Sequence, residues 1–189
     1  MNSFFRHRPY FLALTLAASL GLLVGGCTTA PRPIVDSSQL GTHWSLSGKV
    51  GCRTATNGGS ASFFWQQNGP SWQASFSGPM GFGRMSLAGS GESFSWVDSE
   101  GNPHSGQDAQ GRLESLGVSS IPIASLAYWL RALPDPALNL QRTPGDGFVQ
   151  QGWRVSWQRS AGDLPQILEI STQAVSCRVA ARRWQLLAN

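Results

Sequence analysis

The chain has 189 residues, with 14 Lys and Arg against 10 Asp and Glu, and only 13% of its side chains are charged. A formal charge of +4 without a compact basic face argues against a nucleic-acid partner. Three cysteines and three histidines, none at metal-ligand spacing, leave no metal site and no cofactor in the reading.

The N-terminus carries the first signal. Arg6, His7 and Arg8 precede an apolar run from Tyr10 to Val24, closed by Gly25-Gly26-Cys27. About 15 strongly apolar residues fall short of the ~20 that span a bilayer. A basic n-region, an apolar h-region and small residues before a cleavage point make a signal peptide over residues 1–26. The pattern resembles the lipobox of bacterial lipoproteins, with Gly25 a less usual residue at its position. It implies a lipidation site at Cys27, which turns a soluble domain into an anchored one. Loss of Arg6 and Arg8 with the signal lowers the formal charge from +4 to +2. Residues 27–42, rich in Pro, Ser and Thr, read as the lipidated cysteine and a tether. Residues 43–189 are then one domain, long enough to bury a core.

From His43 the dominant pattern is alternation. Trp44, Leu46, Gly48, Val50 and Cys52 share one parity, and Ser45, Ser47, Lys49 and Arg53 the other, which predicts a half-buried strand over His43–Arg53. Asn57-Gly58-Gly59 is a turn. Ala61–Gln67 (ASFFWQQ) is strongly β-prone. After Asn68-Gly69-Pro70, Trp72, Ala74 and Phe76 alternate with serines and Gln73. The chain resumes over Phe82–Gly89, turns at Gly91, and enters Phe94–Val97. This spacing predicts an antiparallel meander.

The middle changes period. Gln107–Leu116 reads as a short helix. Ser120-Ile121-Pro122 reads as a capped start to a second, with Ile123, Leu126, Ala127, Leu130 and Leu133 on one face and Pro134 and Pro136 ending it. Strands return over Leu138–Gln141, Gly147–Gln150, Trp153–Gln158, Gln166–Ser171, Ala174–Ala180 and Arg183–Leu187. About eleven strands and two helices predict an incomplete antiparallel β-barrel with the helices covering its concave side.

No nucleophile–base constellation stands out, and the chain does not read as an enzyme. His43 and His104 read as solvated residues beside a strand start and a turn. Asp98, Glu100 and Asp135 read as turn carboxylates. The basic cluster from Arg178 to Arg183 reads as a solvated strand face. Cys52 and Cys177 fall on the apolar parity of their strands; they could bridge in an oxidising compartment or simply pack.

One loop departs from the rule that hairpin tips are polar. Pro79-Met80-Gly81-Phe82 joins two alternating strands and puts an unbranched, polarizable side chain at its tip. Phe63-Phe64-Trp65-Gln66-Gln67, that Pro–apolar–Gly hairpin, Ser120-Ile121-Pro122-Ile123 with Trp129-Leu130 and Leu133-Pro134, and the lipid signal occur in an order that resembles the LolB family of outer-membrane lipoprotein receptors. The likeness runs from about Trp44 to Leu187. It implies a non-enzymatic, monomeric acceptor at the periplasmic face of the outer membrane.

The same resemblance implies what the module handles. It takes acylated lipoprotein cargo from a LolA-like periplasmic lipoprotein carrier and passes it to outer-membrane lipid in the inner leaflet. The family carries an exposed leucine on its protruding hairpin, and Met80 stands at the matching position, so Pro79, Met80, Gly81 and Phe82 form the expected membrane-insertion loop. Thr28 rather than Asp after the lipidated cysteine favours sorting to the outer membrane. Candidate linings of an acyl-chain cavity are Trp44, Leu46, Val50, Phe64, Trp72, Phe76, Trp96, Leu126 and Leu130, each of which could equally be filled core. The alternative is a structural or assembly lipoprotein that binds a protein partner through an aromatic surface.

Overall fold

A computed structural model describes residues 40–79, 83–91, 93–115, 122–159 and 163–187. Cys27 and the signal peptide, Met80, Gly81 and Phe82 of the hairpin, and Ser120 and Ile121 of the expected helix cap lie outside the described residues.

Six strands come first: β1 (His43–Thr54), β2 (Gly58–Asn68), β3 (Ser71–Ser77), β4 (Met85–Ser90), β5 (Ser93–Val97) and β6 (Pro103–Ser105). Two helices follow, α1 (Gly106–Ser115) and α2 (Ile123–Trp129). The chain then forms β7 (Gln141–Arg142), β8 (Gly147–Gln150), β9 (Trp153–Arg159), β10 (Pro165–Ser171) and β11 (Val175–Leu186). The eleven strands among the described residues belong to one antiparallel sheet in the order β6-β5-β4-β3-β2-β1-β11-β10-β9-β8-β7. The chain therefore starts at the sheet's centre, walks to one edge, crosses through the helices to the other edge, and walks back. The sheet is open: β6 and β7 end it and do not pair with each other.

The strand total matches the expected number through two compensating differences. β6 was not expected. The two strands expected over Ala174–Ala180 and Arg183–Leu187 are one, β11. Apolar parity switches between Val175, Cys177, Val179 and Ala181 on one side and Trp184 and Leu186 on the other. That switch is a β-bulge: Ser47 pairs with Arg183 and Gly48 with Ala181, leaving Arg182 unopposed. A bulge adds one residue and resets the alternation without ending the strand. Gly48 sits at this point because a Cβ there would collide with the carbonyl oxygen of Ala180 and lie 3.0 Å from the Phe63 ring.

Pairing of β1 with β11 joins the first and last strands, and a disulfide between the cross-strand partners Cys52 and Cys177 fastens it. The second helix is shorter than Ile121–Leu133. It stops at Trp129 because Ala132 takes a left-handed conformation (φ 59°). The Ala132 N–H then donates to the Trp129 carbonyl (2.9 Å) and the Leu133 N–H to the Tyr128 carbonyl (3.1 Å). This paired closure ends a helix before any proline is needed.

Candidate functional site

Strand alternation sorts the side chains onto two faces. On the inner face the register aligns Leu46, Trp65, Ala74, Leu87, Trp96 and His104 across six strands. Trp44, Gln67 and Trp72 form the next row. Val50 pairs with Val179, which pairs with Leu168, so the same face continues through β11 and β10. Trp44, Leu46, Trp72, Trp96 and Leu130 are buried in one apolar cluster, and Val50, Phe76 and Leu126 pack against it. Eight of the nine candidate lining residues are thus brought together. Phe64 is not among them: Phe63 and Trp65 take the inner parity of β2, so Phe64 faces outward, 40% exposed. In a Phe-Phe-Trp run only alternate residues can share a face.

The tryptophans of this face differ in how their indole N–H groups are used. Trp65 stacks on Trp72 with ring centres 4.8 Å apart and donates to Gln67 Oε1 at 3.0 Å. Trp184 donates to the Pro165 carbonyl. Trp44, Trp72 and Trp96 bury their indole N–H groups with no hydrogen-bond partner among the described residues. A buried unpaired donor costs about 1–3 kcal/mol, so three on one face need a reason.

Ala127 of helix α2 and Leu130 at its C-cap pack into the same cluster. Its attachment is polar. Gln150 Oε1 accepts from Trp129 Nε1 and from the Asp135 backbone N–H, both at 2.9 Å, while Gln150 Nε2 donates to the Asp135 carbonyl at 2.8 Å. The Ser125 hydroxyl donates to Asp135 Oδ2 at 2.7 Å. Sequence reasoning took Asp135 for a turn carboxylate and passed over Gln150. The signal was there, because Gln150 shares the buried parity of Phe148. Arg131 closes the other side of the helix. Its Nε donates to the Ala127 carbonyl, and its guanidinium stands over the rings of Trp44 (5.8 Å) and Tyr128 (5.6 Å). Burial lowers its pKa, and the nearby Tyr128 acts in the opposite direction.

His104 corrects a second expectation. It is buried, not solvated. Nε2 lies 2.9 Å from Asp98 Oδ2 and Nδ1 2.7 Å from Asp108 Oδ2, so the ring clips the β5–β6 turn to α1. Asp98 also accepts from the backbone N–H groups of Glu100 and Asn102. The His104 hydrogen bond first, and the Asn102 N–H next, hold its carboxyl well below the usual carboxylate range. The arrangement serves as a brace.

Of the hairpin between β3 and β4, Pro79 is exposed and Gly83 has a positive φ of 64°. The outer face carries a depression of about 240 Å³ lined by Phe64, Gln73, Ser75, Ser86, Ser95 and Val97. It lies on the side of the sheet opposite the tryptophan rows.

Comparison with known proteins places this geometry. Residues 42–184 match the family described as "Outer membrane lipoprotein LolB". The outer-membrane lipoprotein LolB of Alkalilimnicola ehrlichii is 30% identical over 92% of this chain and 96% of its own. That of Aeromonas hydrophila is 33% identical over 93% and 97%, and that of Chromohalobacter salexigens 32% identical over 95% and 91%.

Proposed function

Since the chain belongs to the LolB family of outer-membrane lipoproteins, we propose that it is an outer-membrane-anchored acceptor that takes lipoproteins from a LolA-like periplasmic carrier and inserts them into the membrane's inner leaflet. Cys27 carries the lipid anchor. The open sheet is an incomplete barrel, α2 covers its concave side, and the acyl chains of the cargo occupy the tryptophan face. The protein works as a monomer and makes or breaks no covalent bond.

The observation that carries this reading is the inner face itself: eight lining residues in one cluster, with three buried indole donors unpaired. Alkyl chains supply apolar contact, and the ester and amide carbonyls at their heads are acceptors that indole N–H groups lack. Exposed acyl chains cost ~0.8 kcal/mol per CH₂ in water, so a cargo with dozens of them stays covered until a better apolar medium is offered. The bilayer is that medium, and no nucleotide is required for the last step. Delivery falls to the hairpin, where Met80, beside Pro79, Gly81 and Phe82, is the apolar tip that enters lipid.

A transfer assay tests this. A carrier loaded with a triacylated lipoprotein is mixed with the mature protein, and liposomes are added afterwards. The lipoprotein is expected to leave the carrier for this protein and then for the liposomes. Met80→Glu is expected to preserve the first transfer and impair the second. No transfer from the carrier would refute the function; unimpaired incorporation by Met80→Glu would refute the role of the hairpin alone.

A further inference from the structure

The outer face of the sheet is charged unevenly. Arg183 stands opposite Ser47, which pairs with Phe64 on its other side; Lys49 stands opposite Ala180, Arg178 opposite Gly51, and Arg53 opposite Ser176. Arg154 continues the pattern on β9, opposite Ser171. All five are exposed. Glu169 of β10 pairs with Arg178 at 3.0 Å, and among the described residues Lys49, Arg53, Arg154 and Arg183 make no ion pair. Asp98, Glu100 and Asp108 lie away from them, at the β5–β6–α1 edge. A domain of small net charge thus has one basic face with the exposed Phe64 on it.

The register adds a second, independent constraint. The chain enters β1 at the end of the sheet where Thr42 accepts from Gly69 N–H and His43 pairs with Asn68. The β3–β4 hairpin turns toward the other end, from partway along the central strands, since Ser77 pairs with Ser62 and Ser62 with Lys49. Along β1, Lys49 at the level of the hairpin base and His43 at the entry are about 20 Å apart. An entry point and a hairpin base set apart along the strand direction both face one bilayer when the strands lie along it.

We infer that the outer face of β1, β11, β10 and β9 is a docking surface for anionic phospholipid headgroups, which lays the domain flat on the membrane that holds its anchor. The inference rests on the anchored reading above. The occupant follows from charge: a tethered domain always has a headgroup layer within reach, and a cationic face is drawn to an anionic one within a Debye length. Phe64 then meets the interface beside Arg183, and the inner face with α2 stays clear for cargo.

The test uses the mature lipidated protein in phosphatidylcholine vesicles with or without about 30 mol% phosphatidylglycerol. One fluorophore is placed at Ser62→Cys on the outer face, another at Asn139→Cys in the α2–β7 connection, and a quencher is attached to lipid headgroups. Phosphatidylglycerol is expected to raise quenching at position 62 several-fold over position 139, and about 0.5 M salt to abolish the difference. Each of Lys49→Gln and Arg183→Gln, neutral changes at exposed sites, is expected to reduce the headgroup-apposed population about five-fold. Quenching at position 62 that ignores both lipid charge and salt would overturn the inference. So would shielding of position 62 only when an acidic periplasmic protein is added, which would assign the face to a protein. Transfer in the same vesicles keeps the two proposals apart: intact transfer without the charge effect defeats the docking face and leaves the acceptor function standing. Failure of the protein to float with the vesicles would overturn the anchored reading and, with it, this inference.

Discussion

Removing the Cys52–Cys177 disulfide perturbs the seam on which the sheet is built. The bond closes a loop with a sequence separation of 125, for which the chain-entropy relation gives about 5 kcal/mol of stabilisation through the denatured state. Eleven paired positions between β1 and β11 remain, so the native sheet is expected to persist without the bond. A domain of this size is stable by about 5–15 kcal/mol, so the loss is a large fraction of the whole. The comparison is urea unfolding of the oxidised protein against the Cys52→Ala, Cys177→Ala double variant. The variant is expected to lose about 3–5 kcal/mol, with a steeper urea dependence because its unfolded chain is freer. Its Tm should fall by roughly 10–15 °C. A loss below about 1 kcal/mol would refute the argument, since the bond would then constrain nothing that pairing does not already hold.

Three further outcomes follow from single contacts. Gly48→Ala places a methyl group against the Ala180 carbonyl and should cost about 2–4 kcal/mol in urea unfolding; wild-type stability would mean that the bulge adjusts freely. Gln150→Leu orphans the Trp129 and Asp135 N–H groups and should cost about 2–4 kcal/mol, with faster amide exchange in α2 than in β1. Asp98 has a native pKa below its ordinary 3.8, so its contribution is complete above that pH and is lost as the pH falls further. Asp98→Asn should therefore be less stable than wild type at pH 7, with the two curves converging in acid; a constant difference down to low pH would contradict the His104 brace.

Alternation carried most of the fold. Trp44, Leu46, Trp72 and Trp96 could be placed on one face from period two alone, because a half-buried sheet writes burial directly into the sequence. Phe64 could not be placed that way, since its two aromatic neighbours hide which parity is inside. The bulge at Arg182 misled the reading for a related reason: one inserted residue reverses the parity and imitates a strand end. β6 escaped because Pro103–Ser105 is too short to show a period. His104 and Gln150 were missed because their partners, Asp108, Asp98, Trp129 and Asp135, are chosen by tertiary packing. The helix boundary at Trp129 depended on a left-handed alanine, which no local propensity announces.

The most direct test of the account follows the acyl chains themselves. A lipoprotein carrying a diazirine in its acyl chains is transferred to this protein, irradiated, and the adducts are mapped by mass spectrometry. Adducts on Trp44, Trp72, Phe76, Trp96, Leu126 or Leu130 are expected. Adducts confined to Phe64, Ser86 and Val97 would put the cargo in the outer depression and contradict the claim that the tryptophan face receives it.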